Sequence, residues 1–241
     1  MDKRTPIKRD RIFSLIACAI ILLLGNGCME AVRYRTEQLE SFFDRKENAQ
    51  LTFITDQGRQ VAFFVPPIIH PDRVPGKLAI LYPGINAGAL DWCKLIRLED
   101  DPKAGYLLID YPGRGLSQGY MNPEKNYMNT EGGLEALAAH LGVHKLDTRL
   151  CLLGHSFGTG AALQFAARRK VHRITLVAPF DTMRNAVARR SFILAALMPV
   201  QIDNVELIKA ILADNEKAPT ITIIHGRKDE SLPVEMGRKL A

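Results

Sequence analysis

The sequence predicts an α/β fold: a mostly parallel central sheet with helices on both faces, an N-terminal antiparallel hairpin, and a short helical insert before the last visible strand. Three observations carry this. Runs of nearly continuous Leu, Ile and Val recur at 78–82, 106–110, 150–153, 173–178 and 220–224, as expected of parallel strands buried on both faces. Helix-forming stretches at about 88–98, 130–141 and 157–169 lie between them, and strands alternating with helices make a parallel sheet covered on two sides. Ahead of these, β-rich runs at 51–55 and 60–65 are joined through Asp56-Gln57-Gly58, a hairpin signal.

In chain order, the first 27 residues read as a signal peptide. Lys3, Arg4, Lys8, Arg9 and Arg11 outnumber Asp2 and Asp10, and an apolar stretch of 13 residues runs from 12 to 24. A membrane-spanning helix needs about 20 residues, whereas a signal-peptide core is shorter. The stretch ends in Leu24-Gly25-Asn26-Gly27-Cys28. This resembles the lipobox of bacterial lipoproteins, with Gly25 where that family usually has leucine. The resemblance implies cleavage before Cys28, acylation of that cysteine (palmitate being the expected kind of chain), and a protein anchored to a membrane of the bacterial cell envelope. An uncleaved anchor, or an ordinary signal peptide with a bystander cysteine, are the other readings of the same residues.

Residues 28–50 read as a polar, helix-prone tether, and 51–241 as one domain. Of the net charge of +6, half belongs to the leader, which leaves +3 from Cys28 onward. No basic stripe interleaved with aromatics is present, so no nucleic-acid partner is expected. Cys18 lies in the leader. Cys93 and Cys151 fall on separate predicted elements, and Cys151, on an apolar strand, reads as a small buried hydrophobe. No CxxC or His-rich spacing suggests a metal, and no cofactor is implied.

The stretch at about 181–215 breaks the strand–helix rhythm. Its apolar centre, Phe192-Ile-Leu-Ala-Ala-Leu-Met198, suits either a packing helix pair or a cap over the strand ends. Asp203 followed by Glu206 suits a helix start.

The most informative stretch is Gly154-His155-Ser156-Phe157-Gly158, between the apolar run at 150–153 and a helix former. Strand, tight turn and helix in that order place one serine at the apex, with glycines where a side chain would meet the neighbouring backbone. Two further stretches accompany it: Leu81-Tyr82-Pro83-Gly84-Ile85-Asn86 at a strand end, and Asp110-Tyr111-Pro112-Gly113-Arg114-Gly115-Leu116-Ser117. Together these pieces resemble the α/β-hydrolase superfamily, in particular its bacterial serine esterase and peptidase-like members, over about 51–241. Pro83 stands where the family has the histidine of its oxyanion turn.

The resemblance implies roles. Ser156 is the expected nucleophile, with the amides of Phe157 and of Ile85 or Asn86 as the oxyanion hole. In Ile224-His225-Gly226-Arg227-Lys228-Asp229, Asp229 is the expected triad acid, and Asp181, after an earlier strand, is the alternative. The general base is expected one strand further on, but no histidine lies between Asp229 and Ala241. Either the chain given is a shortened form of a Ser-Asp-His hydrolase, or the protein is an impaired or non-catalytic binder. The expected activity is hydrolysis of an ester, thioester or amide, on a small-molecule or peptide acyl substrate, through an acyl-enzyme.

Overall fold

Residues 34–96, 101–197, 202–213 and 218–241 are described in the computed structural model; the leader, Cys18 and Cys28 lie outside them. The strands are β1 (Ala49–Thr55), β2 (Gly58–Val65), β3 (Lys77–Tyr82), β4 (Ala104–Ile109), β5 (Arg149–His155), β6 (Arg173–Val177) and β7 (Thr220–Ile224). They form a seven-stranded sheet in the order β1-β2-β4-β3-β5-β6-β7. β1 and β2 pair antiparallel, as do β2 and β4; every other pairing is parallel. The parallel strands fall within two residues of their expected places. Leu107 and Leu108, adjacent on β4, are both 0% exposed, because each meets a covered face.

Helices cover both faces. On one, α3 (Pro123–His140), α4 (Phe157–Ala166) and α7 (Asn204–Leu212) bring Leu137, Ala162, Phe165 and Ile208 onto Leu78, Ile80, Leu152 and Leu176. On the other, α1 (Thr36–Phe43), a 3₁₀ turn (Ala89–Trp92) and α2 (Cys93–Ile96) bring Phe42, Leu90 and Trp92 onto Phe63, Leu81 and Leu108. The chain ends in α8 (Val234–Arg238), and the insert holds α5 (Met183–Ala188) and α6 (Phe192–Leu197).

Three differences from the expected elements have clear causes. The folded body reaches back to Tyr34, so part of the segment read as a tether packs on the sheet, chiefly through Phe42. Phe42 is 1% exposed and stacks edge-on against Phe63 at 5.2 Å, a burial that contributes about 1.5–3 kcal/mol. α3 begins at Pro123, not 130. Asn122 caps it by accepting from the Lys125 amide at 2.8 Å, and proline suits a first turn; the turns missed bury polar Asn126 and Asn129, so they carry no apolar period. The helix expected at 88–98 opens as a 3₁₀ turn before α2.

The parallel strands end flush. Tyr82 pairs with Gly154, His155 with Val177, and Val177 with Ile224. The residues that follow each strand therefore meet at one edge, where ligands bind in open α/β sheets.

Candidate active site

β5 ends at His155 and α4 starts at Phe157, so Ser156 alone makes the turn. It does so at φ 52° and ψ −118°, a strained conformation for a residue with a β-carbon, costing about 1–3 kcal/mol. Its surroundings hold it there. The Ser156 amide donates to the Val177 carbonyl at 2.9 Å, and Thr159 Oγ1 donates to the Ser156 carbonyl at 2.6 Å. The flanking glycines are steric necessities: a β-carbon on Gly154 would lie 2.5 Å from the Gly158 carbonyl oxygen, and one on Gly158 would strike the Tyr82 carbonyl. Ser156 stays partly exposed at the strand-end edge.

The turn after β3 lies against it. A β-carbon placed on Gly84 would be 3.5 Å from Ser156 Cβ, and Ile85 and Asn86 follow at its tip. Phe157, first in α4, has an amide with no acceptor one turn back in its own helix. Both oxyanion candidates thus come from elements bordering Ser156.

Residues just past β4 brace this turn at both ends. The Tyr111 hydroxyl donates to the Pro83 carbonyl at 2.9 Å, and the Ala89 amide donates to Asp110 Oδ1 at 3.2 Å. Asp110, 1% exposed, also accepts from the Tyr34 hydroxyl and from the Leu116 amide. Burial pushes its carboxyl up to about 6, with those hydrogen bonds pulling the other way. Burial, and then the neighbouring carboxylate, drive the Tyr34 phenol well above its ordinary value. Ser117 closes the loop by accepting from the Val61 amide at 2.9 Å. The sequence motif is legible, but this bracing is not.

Beyond β7 the chain folds back through Asp229. Its Oδ1 accepts from the Ser231 and Leu232 amides, each at 2.9 Å. His225 is buried beneath it: Nε2 lies 3.7 Å from Asp229 Oδ2 and 2.7 Å from the Leu232 carbonyl. A carbonyl can only accept, so Nε2 carries the hydrogen. His155 packs edge-on against Trp92 at 5.7 Å. Burial holds its pKa below the ordinary value, and the Asp229 carboxylate opposes that. Asp229 follows β7, whose end is flush with those of β6 and β5, so it lies at the same sheet edge as Ser156.

Asp181, the alternative acid, is engaged elsewhere. Its oxygens accept from the Thr182 amide at 2.7 Å, Asn185 Nδ2 at 2.9 Å and Lys239 Nζ at 2.7 Å. Burial raises its pKa, but these bonds outweigh that and hold it below the ordinary value. It ties α5 to the segment after α8. Cys151 is a free thiol, and burial raises its pKa. Among the described residues, no group of three His, Cys, Asp or Glu side chains is placed to hold a metal.

The insert borders the same edge. Met183 and Ala186 of α5 pack with Phe157, Phe180, Ile202 and Leu232, next to the residue that follows Ser156. This is where a cap would lie. A concavity of about 940 Å³, bordered by Lys145, Arg149, Lys170 and His172, opens at the other ends of β5 and β6, one strand length from Ser156.

A family model described as the alpha/beta hydrolase fold matches residues 79–199, half of the chain. The chain belongs to the α/β-hydrolase fold family. Human Protein ABHD12B is 29% identical to it over 163 residues, which are 61% of this chain and 43% of that protein. The chain thus spans less than half of that relative's length. Among solved hydrolase structures, the alpha-beta hydrolase of Vibrio vulnificus superposes with a TM-score of 0.61 at 15% identity, covering 98% of this chain and 92% of that one. An esterase of Pyrococcus furiosus gives 0.60 at 16% identity, covering 89% and 83%. At these identities the likeness is one of fold. Among the described residues, no helix is long and apolar enough to cross a membrane.

Proposed function

We propose that this chain is a serine hydrolase, cleaving an ester, thioester or amide through an acyl-enzyme on Ser156. The strained bend at Ser156, set against the Gly84 turn, carries the reading. A serine hydroxyl attacks well only when a base takes its proton. As Oγ bonds to the acyl carbon, the carbonyl oxygen becomes an oxyanion, accepted by the amides of Phe157 and of Ile85 or Asn86. One such donor contributes about 3–4 kcal/mol in comparable sites. The leaving alcohol, thiol or amine takes the proton from the base, and water then releases the acid by the reverse steps. Asp229 would orient the base, a histidine that the family resemblance puts after one further strand.

His225 is turned to the Leu232 carbonyl and His155 to Trp92, so neither is assigned the base. The rival reading, a hydrolase-fold binding protein, rests on that engagement of both histidines away from Ser156.

A fluorophosphonate probe separates the two. The expected result is stoichiometric labelling, abolished by Ser156→Ala; a folded chain that takes no label would point to the binder. Asp229→Asn keeps the Oδ1 acceptor for the two loop amides but loses the charge. It is expected to slow labelling on the order of 10³- to 10⁴-fold.

The lipobox resemblance extends the proposal to place: a lipid-anchored protein of the bacterial cell envelope, with the membrane as partner through Cys28. Radiolabelled palmitate should enter the full chain and be lost on Cys28→Ser; label that persists in the variant would refute the anchor.

A further inference from the structure

We propose that the outer face of the insert docks on an anionic bilayer surface. A globular helix normally turns its apolar arc inward, and α6 does the reverse. Phe192 is 79% exposed, Ile193 70% and Leu197 61%, while Ala195 is the buried residue. At 100° per residue, Phe192, Ala196, Ile193 and Leu197 span an arc of about 140°, and all four are exposed.

The charge around this arc identifies its partner. Arg189 and Arg190, just before α6, and Arg184 on the neighbouring α5 are exposed, and no acidic residue occurs from Thr182 to Ile202. Outward apolar side chains flanked by arginines fit lipid tails beneath anionic headgroups. The helix has a firm base for such a contact: α6 packs on α5, and α5 packs on Phe157.

The anchor reading adds reach. Five residues lie between Cys28 and Tyr34, so the two are at most about 22 Å apart along the chain. Tyr34 bonds Asp110 beside the turn after β3, at the edge of the sheet that the insert borders. A lipid on Cys28 would therefore hold this edge, and not the opposite one, near the bilayer. The docking face itself rests only on exposure and charge, so it stands or falls apart from the catalytic reading.

The test places tryptophan in the face. The full chain carrying Phe192→Trp is reconstituted with vesicles of phosphatidylcholine alone, or of phosphatidylcholine with phosphatidylglycerol, with and without acyl-brominated lipid. The unsubstituted chain, whose single Trp92 is 8% exposed, gives the blank. The control is Ile54→Trp, at a position 76% exposed on the β1 hairpin strand. In the anionic vesicles, the indole introduced by Phe192→Trp should shift to the blue and lose most of its emission to brominated lipid. Both effects should be largely abolished by Arg189→Glu with Arg190→Glu and absent at position 54. An unquenched indole at position 192 in both kinds of vesicle, equal quenching in neutral ones, or equal quenching at position 54 would each overturn the proposal. Ser156 labelling in the same samples reports on catalysis separately.

Discussion

Ser156 is held at φ 52°, and a residue with a β-carbon stores strain there that the rest of the fold must offset. Ser156→Gly should relieve it. Against the greater freedom glycine gains in the unfolded chain, the net expectation is stabilisation by about 1 kcal/mol, read from urea unfolding, with all probe labelling lost. A variant destabilised by a similar amount would mean that the bend is not strained. The position of the bend is legible in the chain because its pattern is local: apolar strand, two glycines, helix former. Such patterns survive translation into structure because they depend on few distant partners. The cost of the bend is not written there. His155 is a different case. It adjoins Ser156 in sequence, yet its ring is engaged by Trp92, a contact that no local pattern encodes.

At the scale of elements, the strands and the insert are legible, and the braces between them are not. Each parallel strand announces itself by its own apolar run. The start of α3 is also written in the chain, as Asn122-Pro123, but its first turns hide behind buried asparagines. Asp110 can be recognised only as part of a glycine-rich loop. Its function as a clasp depends on Tyr34, 76 residues earlier, and on Ala89, and only folding brings these together. That clasp has a measurable pH signature. The carboxyl sits near 6 in the folded chain against an ordinary 3.8, so the native state binds the proton more tightly than the unfolded state. Its contribution to stability is full below about pH 4 and is lost as the pH rises through 6, a swing of about 3 kcal/mol. Asp110→Asn removes this titration. Urea unfolding of the two proteins should differ by a constant amount above pH 7 and swing toward the native chain between pH 7 and 4. A difference that stays flat across that range would mean that Asp110 is as easily ionised inside the fold as outside it.

For the whole molecule, the sheet concentrates its candidate chemistry on one edge. Four of the five parallel strands contribute to that edge: β3 gives the Gly84 turn, β4 the brace, β5 the serine and β7 the Asp229 loop. The strand between the last two, β6, is followed by Asp181, whose salt bridge to Lys239 fastens the end of the described chain to the insert. The sequence discloses this division of labour only in outline. Strand order has no direct signature in it, and the flush ends that align Tyr82, Gly154, Val177 and Ile224 are a property of register. The antiparallel β1–β2 hairpin stands apart from the site and is joined to the loop after β4 by bonds that include Val61–Ser117 and Arg59–Gln118.

The short amino-terminal helix is a working part of the body. Phe42 fills a gap on the sheet, and the Tyr34 hydroxyl plugs the polar position beneath the clasp. Grafting a foreign export leader onto this core should therefore spare everything from residue 34 onward. A fusion joint placed later, at the first strand, would leave a carboxyl open to water and an aromatic socket empty, and expression trials would report that as a poor linker when the fault lies in a missing piece of the fold.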